Sequence, residues 1–216
     1  PPANPRAIRV ATFNIQVLGE SKAGKPHVMK VLADVVRRFD VVAIQELRTT
    51  NDAVMEHFLA LINAQGGTYR YVLGPRLGRT VSKEQYVYIF DAARVVIDPQ
   101  SVLTVSDPGD YLHREPLNAR FQVRTSPPEA GFSFILVNIH TDPDETDQEL
   151  DALDDVFAAV QRNGWREDDV ILLGDLNVDS RKLGQLGHLP GITWIVDGQA
   201  TNTRGTKSYD NILFDQ

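Results

Sequence analysis

Apolar positions along this chain follow two rhythms. Continuous or alternating apolar runs, bounded by polar and turn residues, predict strands at 8–16, 40–46, 69–74, 85–90, 94–105, 118–125, 132–139, 169–173, 192–196 and 209–214. Helical spacing predicts helices at 27–38, 52–64 and 145–162. Val28, Val31, Leu32, Val35 and Val36 share one face, and Leu150, Leu153, Val156, Phe157 and Val160 share another. Each face is suited to covering a sheet. The order strand, helix, strand ending in an acid occurs twice, from Val10 to Glu46 and from Phe134 to Asp175, so the chain reads as two related halves. Consecutive strands without helices lie between them. That alternation fits a four-layered α/β/β/α sandwich, two mostly antiparallel sheets flanked by helices, in one domain spanning 1–216.

Polar residues end several of these strands. VILLGDLN at 170–177 runs from a buried strand into Gly174, Asp175 and Asn177. Taken alone, this is an ordinary Asp/Asn turn. But RVATFNIQ places Asn14 after an apolar stretch, VVAIQE ends on Glu46 and FILVNIH ends on His140. Aligned side by side, these strands bring an Asn, a Glu, a His and an Asp-x-Asn pair to one mouth, where α/β proteins hold ligands. Buried carboxylates and amides are costly unless paired, so a metal, a phosphate or a hydrogen-bond network is expected there.

Composition narrows the classes. The 216 residues, 42% hydrophobic and 24% charged, suffice for one large domain with its own core. No linker or low-complexity tract divides them, and the longest charge block is the short acidic stretch from Asp142 to Asp147. Apolar runs of about five residues are too short to span a membrane. A net charge of −7 argues against nucleic-acid binding through a broad basic surface, while leaving room for locally placed arginines. The absence of cysteine excludes disulfides, thiolate chemistry and cysteine-ligated zinc, but leaves the compartment open. The start at Pro1 fits removal of a leader or tag, or trimming of the chain.

The order Asn14, Gln45-Glu46, His140, Gly174-Asp175-Leu176-Asn177, Tyr209-Asp210 resembles the endonuclease/exonuclease/phosphatase superfamily over nearly the whole chain. FNIQ at 13–16, QELR at 45–48, LGRTVSKEQY at 77–86 and HREP at 113–116 resemble its deoxyribonuclease I branch. The resemblance implies a Mg²⁺ or Mn²⁺ ion at Glu46 with Asn14 and Asp175 close by, a set suited to hard cations that take oxygen ligands. It also implies that Glu84 pairs with His140, which then supplies a proton or stabilises the phosphate. Asp175 would orient or deprotonate a water, and Asn177 would hydrogen-bond a phosphate oxygen. Arg48, Arg79 and Arg114 stand where the resembling nucleases meet the DNA backbone or minor groove, and Tyr209 joins the substrate-binding set.

Four further expectations stand beside these, the first three from the same resemblance. The family ends in Ser-Asp-His, whereas no histidine follows His188 here; Asp210 matches the aspartate that orients that last histidine, so the sequence reads as part of a longer protein whose sheet has one more strand. Ser82 replaces a tyrosine that packs against a sugar, which puts preference for double-stranded DNA in doubt. Asp107, Asp110 and Glu115 cluster about HREP like a structural calcium loop, and the threonines of ATNTRGTKSYD line the mouth or bind a second ion.

The leading expectation is a metal-dependent endonuclease that hydrolyses DNA phosphodiesters by direct water attack. A phosphatase or phosphodiesterase acting on a phospholipid, inositol phosphate or small nucleotide is the alternative within the fold. The alternative from another class is a catalytically weak binding module that keeps the fold but lacks the final histidine. DNA is the expected partner, with no membrane and no obligate protein partner. Secretion or a periplasmic location is expected by analogy with exported relatives.

Overall fold

The computed structural model describes residues 7–162 and 167–215. Two sheets lie face to face. The first has the order β1 (Val10–Leu18), β2 (Val41–Leu47), β4 (Gln85–Asp91), β3 (Tyr69–Leu73). The second runs β10 (Ile192–Trp194), β11 (Asp210–Asp215), β9 (Val170–Asp175), β8 (Ser133–His140), β7 (Leu117–Val123), β5 (Val95–Ile97), with β6 (Leu103–Thr104) also on β7. Among the described residues, only β1 with β2 and β8 with β9 pair in parallel. Each parallel pair is joined across helices: α1 (Glu20–Ala23) and α2 (Pro26–Val36) in the first half, and α4 (Thr146–Gln161) in the second. These are the two related halves expected from the sequence. The remaining helix, α3 (Ala53–Asn63), lies beside α2 over the first sheet.

Three cores hold the four layers together. Met29, Val36, Met55, Phe58 and Ile62 pack beneath the first sheet's Val42, Ile44, Val87 and Ile89. Leu150, Leu153, Phe157 and Val160 of α4 cover Ile135, Val137, Ile139 and Leu172 of the second. Between the sheets, Val41, Ala43, Tyr86, Tyr88 and Phe90 meet Leu117, Phe121, Phe134, Leu136 and Leu173. Because strand side chains alternate, the inter-sheet face of each strand can be followed toward its mouth end. It passes from Phe134 and Leu136 to Asn138 and His140 on β8, from Ala43 to Gln45 on β2, and from Leu173 to Asp175 on β9. The slot between the sheets is therefore apolar at one end and polar at the other.

Polar side chains cross this slot just below the mouth. Gln45 Nε2 donates to Asn138 Oδ1 at 2.6 Å, and Asn138 Nδ2 donates to the carbonyls of Ile44 and Val87 at 3.2 and 3.4 Å. Both amides are fully buried. The Tyr86 hydroxyl accepts the His140 N–H at 2.9 Å, and the Tyr88 hydroxyl lies 2.7 and 2.9 Å from the carbonyls of Leu117 and Leu136. These bonds fix how far one sheet slides over the other.

The sequence reading differs from the fold in two places. The single strand expected at 94–105 is two short strands, because Pro99 opens a 3-10 turn over Pro99–Ser101 whose first N–H groups are capped by Asp98. The one-turn α1 lies in a segment to which the sequence assigned no element. Elsewhere the boundaries shift by one or two residues, as fraying ends do.

Replacing Asn138 by Leu preserves volume but removes the buried bond from Gln45 Nε2, which keeps Thr12 Oγ1 at 3.0 Å, and takes the Asn138 amide away from two buried carbonyls. Urea unfolding should show a loss of roughly 2–4 kcal/mol; a change within about 0.5 kcal/mol would mean that the amide pair does not hold the sheets.

Candidate active site

Alternation along β2 puts Gln45 on the slot face and should send Glu46 toward the helices. The backbone prevents this. The β1–β2 pairing runs in step to Asn14↔Gln45 and resumes at Leu18↔Leu47, so three residues of β1 face one of β2. Glu46 takes a left-handed conformation with φ of 66°, opposite Gln16 and Val17 at 53° and 63°. Such conformations cost about 1–3 kcal/mol each and mark sites where surrounding contacts impose them. The result is that Glu46 faces the mouth.

There Asn14 joins two carboxylates. Its Nδ2 donates to Glu46 Oε1 at 3.0 Å and to Asp175 Oδ2 at 2.9 Å, and its Oδ1 accepts the Gln16 N–H at 2.8 Å. Asp175 Oδ1 accepts the Asn177 N–H at 3.0 Å, a bond that the left-handed Asn177 (φ 53°) makes possible. The two carboxylates are hard oxygen donors, and their neighbouring negative charges on a half-buried wall favour a divalent cation, while Asn14 turns its amide nitrogen to them and its oxygen to Gln16. The residues present fit such an ion.

A second cluster surrounds Glu84, which is 1% exposed. Its Oε1 lies 2.7 Å from His140 Nδ1 and 3.2 Å from Arg114 Nε; Arg48 reaches its Oε2 at 3.1 Å and Glu46 Oε2 at 3.6 Å. Burial pushes the Glu84 carboxyl up, but the His140 bond and the charges of His140, Arg114 and Arg48 outweigh it and leave the pKa lowered. Glu84 is thus an ionised acceptor, the proton on the facing ring nitrogen sits at Nδ1, and Nε2 is left for the cleft that His140 lines. Arg114 also donates from Nε to the His140 carbonyl at 2.9 Å, which fixes the histidine from both ends.

Asn14, Glu46, Arg48, Arg114, His140, Asp175, Asn177, Tyr209 and Asp210 all line one cleft of about 860 Å³ between the sheets. Asn177 spends one amide hydrogen on the Thr141 carbonyl at 2.8 Å and keeps the other. The N–H groups of Tyr209 and Asp210 both donate to Thr201 Oγ1, at 2.9 and 3.0 Å. Asp210 pairs in register with Asp175 across β11 and β9. Burial, then the Asp175 charge, raises its pKa to about 6.

Other sequence candidates lie elsewhere. Arg79 is not in the cleft lining; its guanidinium bonds Glu145 at 2.5 Å and the carbonyl and carboxylate of Asp110. The carboxylates of Asp107, Asp110 and Glu115 do not gather about a point. Asp107 closes its own turn by accepting the Leu112 N–H at 2.7 Å, and Asp110 is taken by Arg79. Among the described residues, the one group of three acids or histidines within ligand distance is Glu167, Asp168 and Asp169, far from HREP in the chain. The cleft threonines Thr201 and Thr203 come from the segment singled out by sequence. Sequence reasoning missed Lys22, whose Nζ bonds the carbonyls of Ile15 and Gln16, and His113, which lines the cleft with Nδ1 3.5 Å from Asp142. His113 was legible inside HREP; Lys22 had no signal beyond a polar loop.

The chain is similar to known proteins in sequence and in fold. Residues 11–214 match the Endonuclease/Exonuclease/phosphatase family. Deoxyribonuclease-1-like 1 of Chlorocebus aethiops is 33% identical over 96% of this chain and 71% of its own length. Deoxyribonuclease-1 of Canis lupus familiaris is 31% identical over 96% of this chain and 76% of its own. Among solved structures, a humanized D. rerio TDP2 carrying 14 mutations superposes with a TM-score of 0.66 at 16% identity, covering 97% of this chain and 83% of that one. At that identity the likeness concerns the fold.

The Asp210 pair has a pH signature. A carboxyl whose folded pKa is raised stabilises the fold fully below its unfolded value and loses that contribution as pH rises through about 6. Asp210→Asn should therefore be more stable than the parent at about pH 8, by on the order of 2 kcal/mol in EDTA, with the difference vanishing below about pH 4. Urea melts at both pH values check this, and an equal difference at both would contradict it.

Proposed function

Because the chain belongs to the endonuclease/exonuclease/phosphatase family, in its deoxyribonuclease I-like branch, we propose that this cleft hydrolyses DNA phosphodiester bonds by direct attack of water, with Mg²⁺ or Mn²⁺ held by Glu46, Asn14 and Asp175. The chain is a hydrolase of that family. The observation that carries the finer reading is the meeting, in one cleft, of the Asn14-bridged carboxylates and the Glu84-bound His140, which pairs in register with Asp175. No helix among the described residues is long and apolar enough to cross a membrane.

The chemistry divides among the chain's own residues. A bound divalent cation would polarise a phosphoryl oxygen and offset the charge that builds on it. His140, held at Nδ1 by Glu84, presents Nε2 to the phosphate, where the ring can donate to a phosphate oxygen or to the leaving oxygen. Asn177 offers its free amide hydrogen to the same phosphate. Asp210, whose raised pKa suits a proton acceptor near neutrality, takes the proton of the attacking water beside Asp175. Arg48 has 29% of its side chain exposed and is placed to meet a backbone phosphate, whereas Arg114 is mainly a brace for His140. Arg79 would have to leave its two carboxylates to touch DNA.

Nicking of supercoiled plasmid tests this reading. Activity should require Mg²⁺ or Mn²⁺ and vanish in EDTA. Glu46→Ala and His140→Ala should each lower kcat/KM by about 10²–10⁴ without loss of fold. Turnover of a small phosphomonoester with no plasmid nicking would overturn the nuclease in favour of a phosphatase.

A further inference from the structure

The left-handed turn of β1 has a side chain devoted to it. Between Asn14 and Leu18 the strand leaves the ladder, and Val17 sits at φ of 63°, where a branched Cβ crowds the following carbonyl. The turn frees the carbonyls of Ile15 and Gln16, and Lys22 Nζ donates to both at 2.6 Å. Lys22 is itself fixed. Its own N–H and that of Ala23 donate to the Gly19 carbonyl at 3.1 and 2.9 Å, and Glu20 accepts the Thr49 hydroxyl at 2.6 Å. Gly19 fits so closely that a Cβ there would stand 3.1 Å from the Arg48 carbonyl, while the Arg48 N–H donates to the Leu18 carbonyl at 2.9 Å. The segments that follow β1 and β2 are thus tied to each other, with Asn14 on one strand and Glu46 on the other.

We infer that Lys22 is a positioning residue: it holds the strained turn of β1 and thereby sets Asn14 and Glu46 at the spacing that binds a divalent cation. The inference rests on the cation reading given above for those residues.

Charge alone would act in the opposite direction. Lys22 lies close enough to Glu46 for their charges to interact, so its ammonium competes with a metal for that carboxylate. If Lys22 acted only through charge, removing it would tighten metal binding. If it acted only on global stability, the folded fraction would bind metal unchanged. A positioning role predicts weaker binding, and it predicts relief when the strained residue becomes glycine, which adopts positive φ without penalty.

The test uses the 216-residue chain, Lys22→Met, Lys22→Arg, and Lys22→Met combined with Val17→Gly. Mn²⁺ uptake is followed by electron paramagnetic resonance at a temperature where thermal melts show all four folded, and backbone amides are recorded by NMR without metal. Lys22→Met should weaken Mn²⁺ binding about tenfold, with amide shifts concentrated at Gln16, Val17 and Leu18. Lys22→Arg, which keeps donors, should lose less, and the added Val17→Gly should restore at least about threefold of the loss. Unchanged or tighter Mn²⁺ binding in Lys22→Met would overturn the inference, as would a loss that Val17→Gly does not relieve. Failure of the unsubstituted chain to take up Mn²⁺ would instead overturn the cation reading and this inference's metal half; the metal-free spectra would still show whether Lys22 holds the turn.

Discussion

Two buried amides, Gln45 and Asn138, hold the sheets in one register, and the site depends on that register. An unpaired amide in an apolar core costs several kcal/mol, so any slide of one sheet over the other that breaks this pair is disfavoured. Gln45 precedes Glu46, and Asn138 lies two residues before His140 on the same face of β8. Setting the amides therefore sets the distance from Asn14 and Glu46 on one sheet to His140 and Asp175 on the other. The Tyr86 hydroxyl extends the same logic by receiving the His140 N–H from the opposite sheet.

Around this frame the protein concentrates features that would be unfavourable elsewhere. Glu84 is a carboxylate almost without solvent, made tolerable by one histidine and two arginines. Glu46 and Val17 hold backbone conformations that ordinary strands avoid. Asp210 is buried and stands beside Asp175, and for both reasons it holds its proton more tightly. Strained backbone, a buried ion cluster and a perturbed acid at one mouth are what a reaction centre asks of a fold. The apolar cores on either side supply the stability that carries them.

Much of this was legible in the sequence, and the reasons are local. Strand ends marked by Asn14, Glu46, His140 and Asp175 stand out because each interrupts an apolar run, and the helical faces of α2 and α4 follow from spacing. The strand–helix–strand pattern was read twice, and the structure pairs the strands of each unit in parallel. What remained hidden depends on long-range geometry. Strict alternation would have turned Glu46 away from the mouth, and only the paired irregularity of β1 and β2 brings it back. Nothing local says that Lys22 reaches the carbonyls of Ile15 and Gln16, that Arg79 is held by Glu145 and Asp110, or that Asp107 is used up by its own turn. Asn138 did carry a signal, an amide two positions before His140 in a strand otherwise apolar, but its partner lies 93 residues away.

The central claim is that Glu46 from one sheet and His140 from the other act on a single phosphate. A double-mutant cycle in kcat/KM on duplex DNA, using Glu46→Ala, His140→Ala and the pair together, measures this directly. Groups that act as a unit are strongly non-additive, so the double variant should fall no more than a few-fold below the worse single. Losses that multiply would mean that the two sides work independently, and would contradict the account.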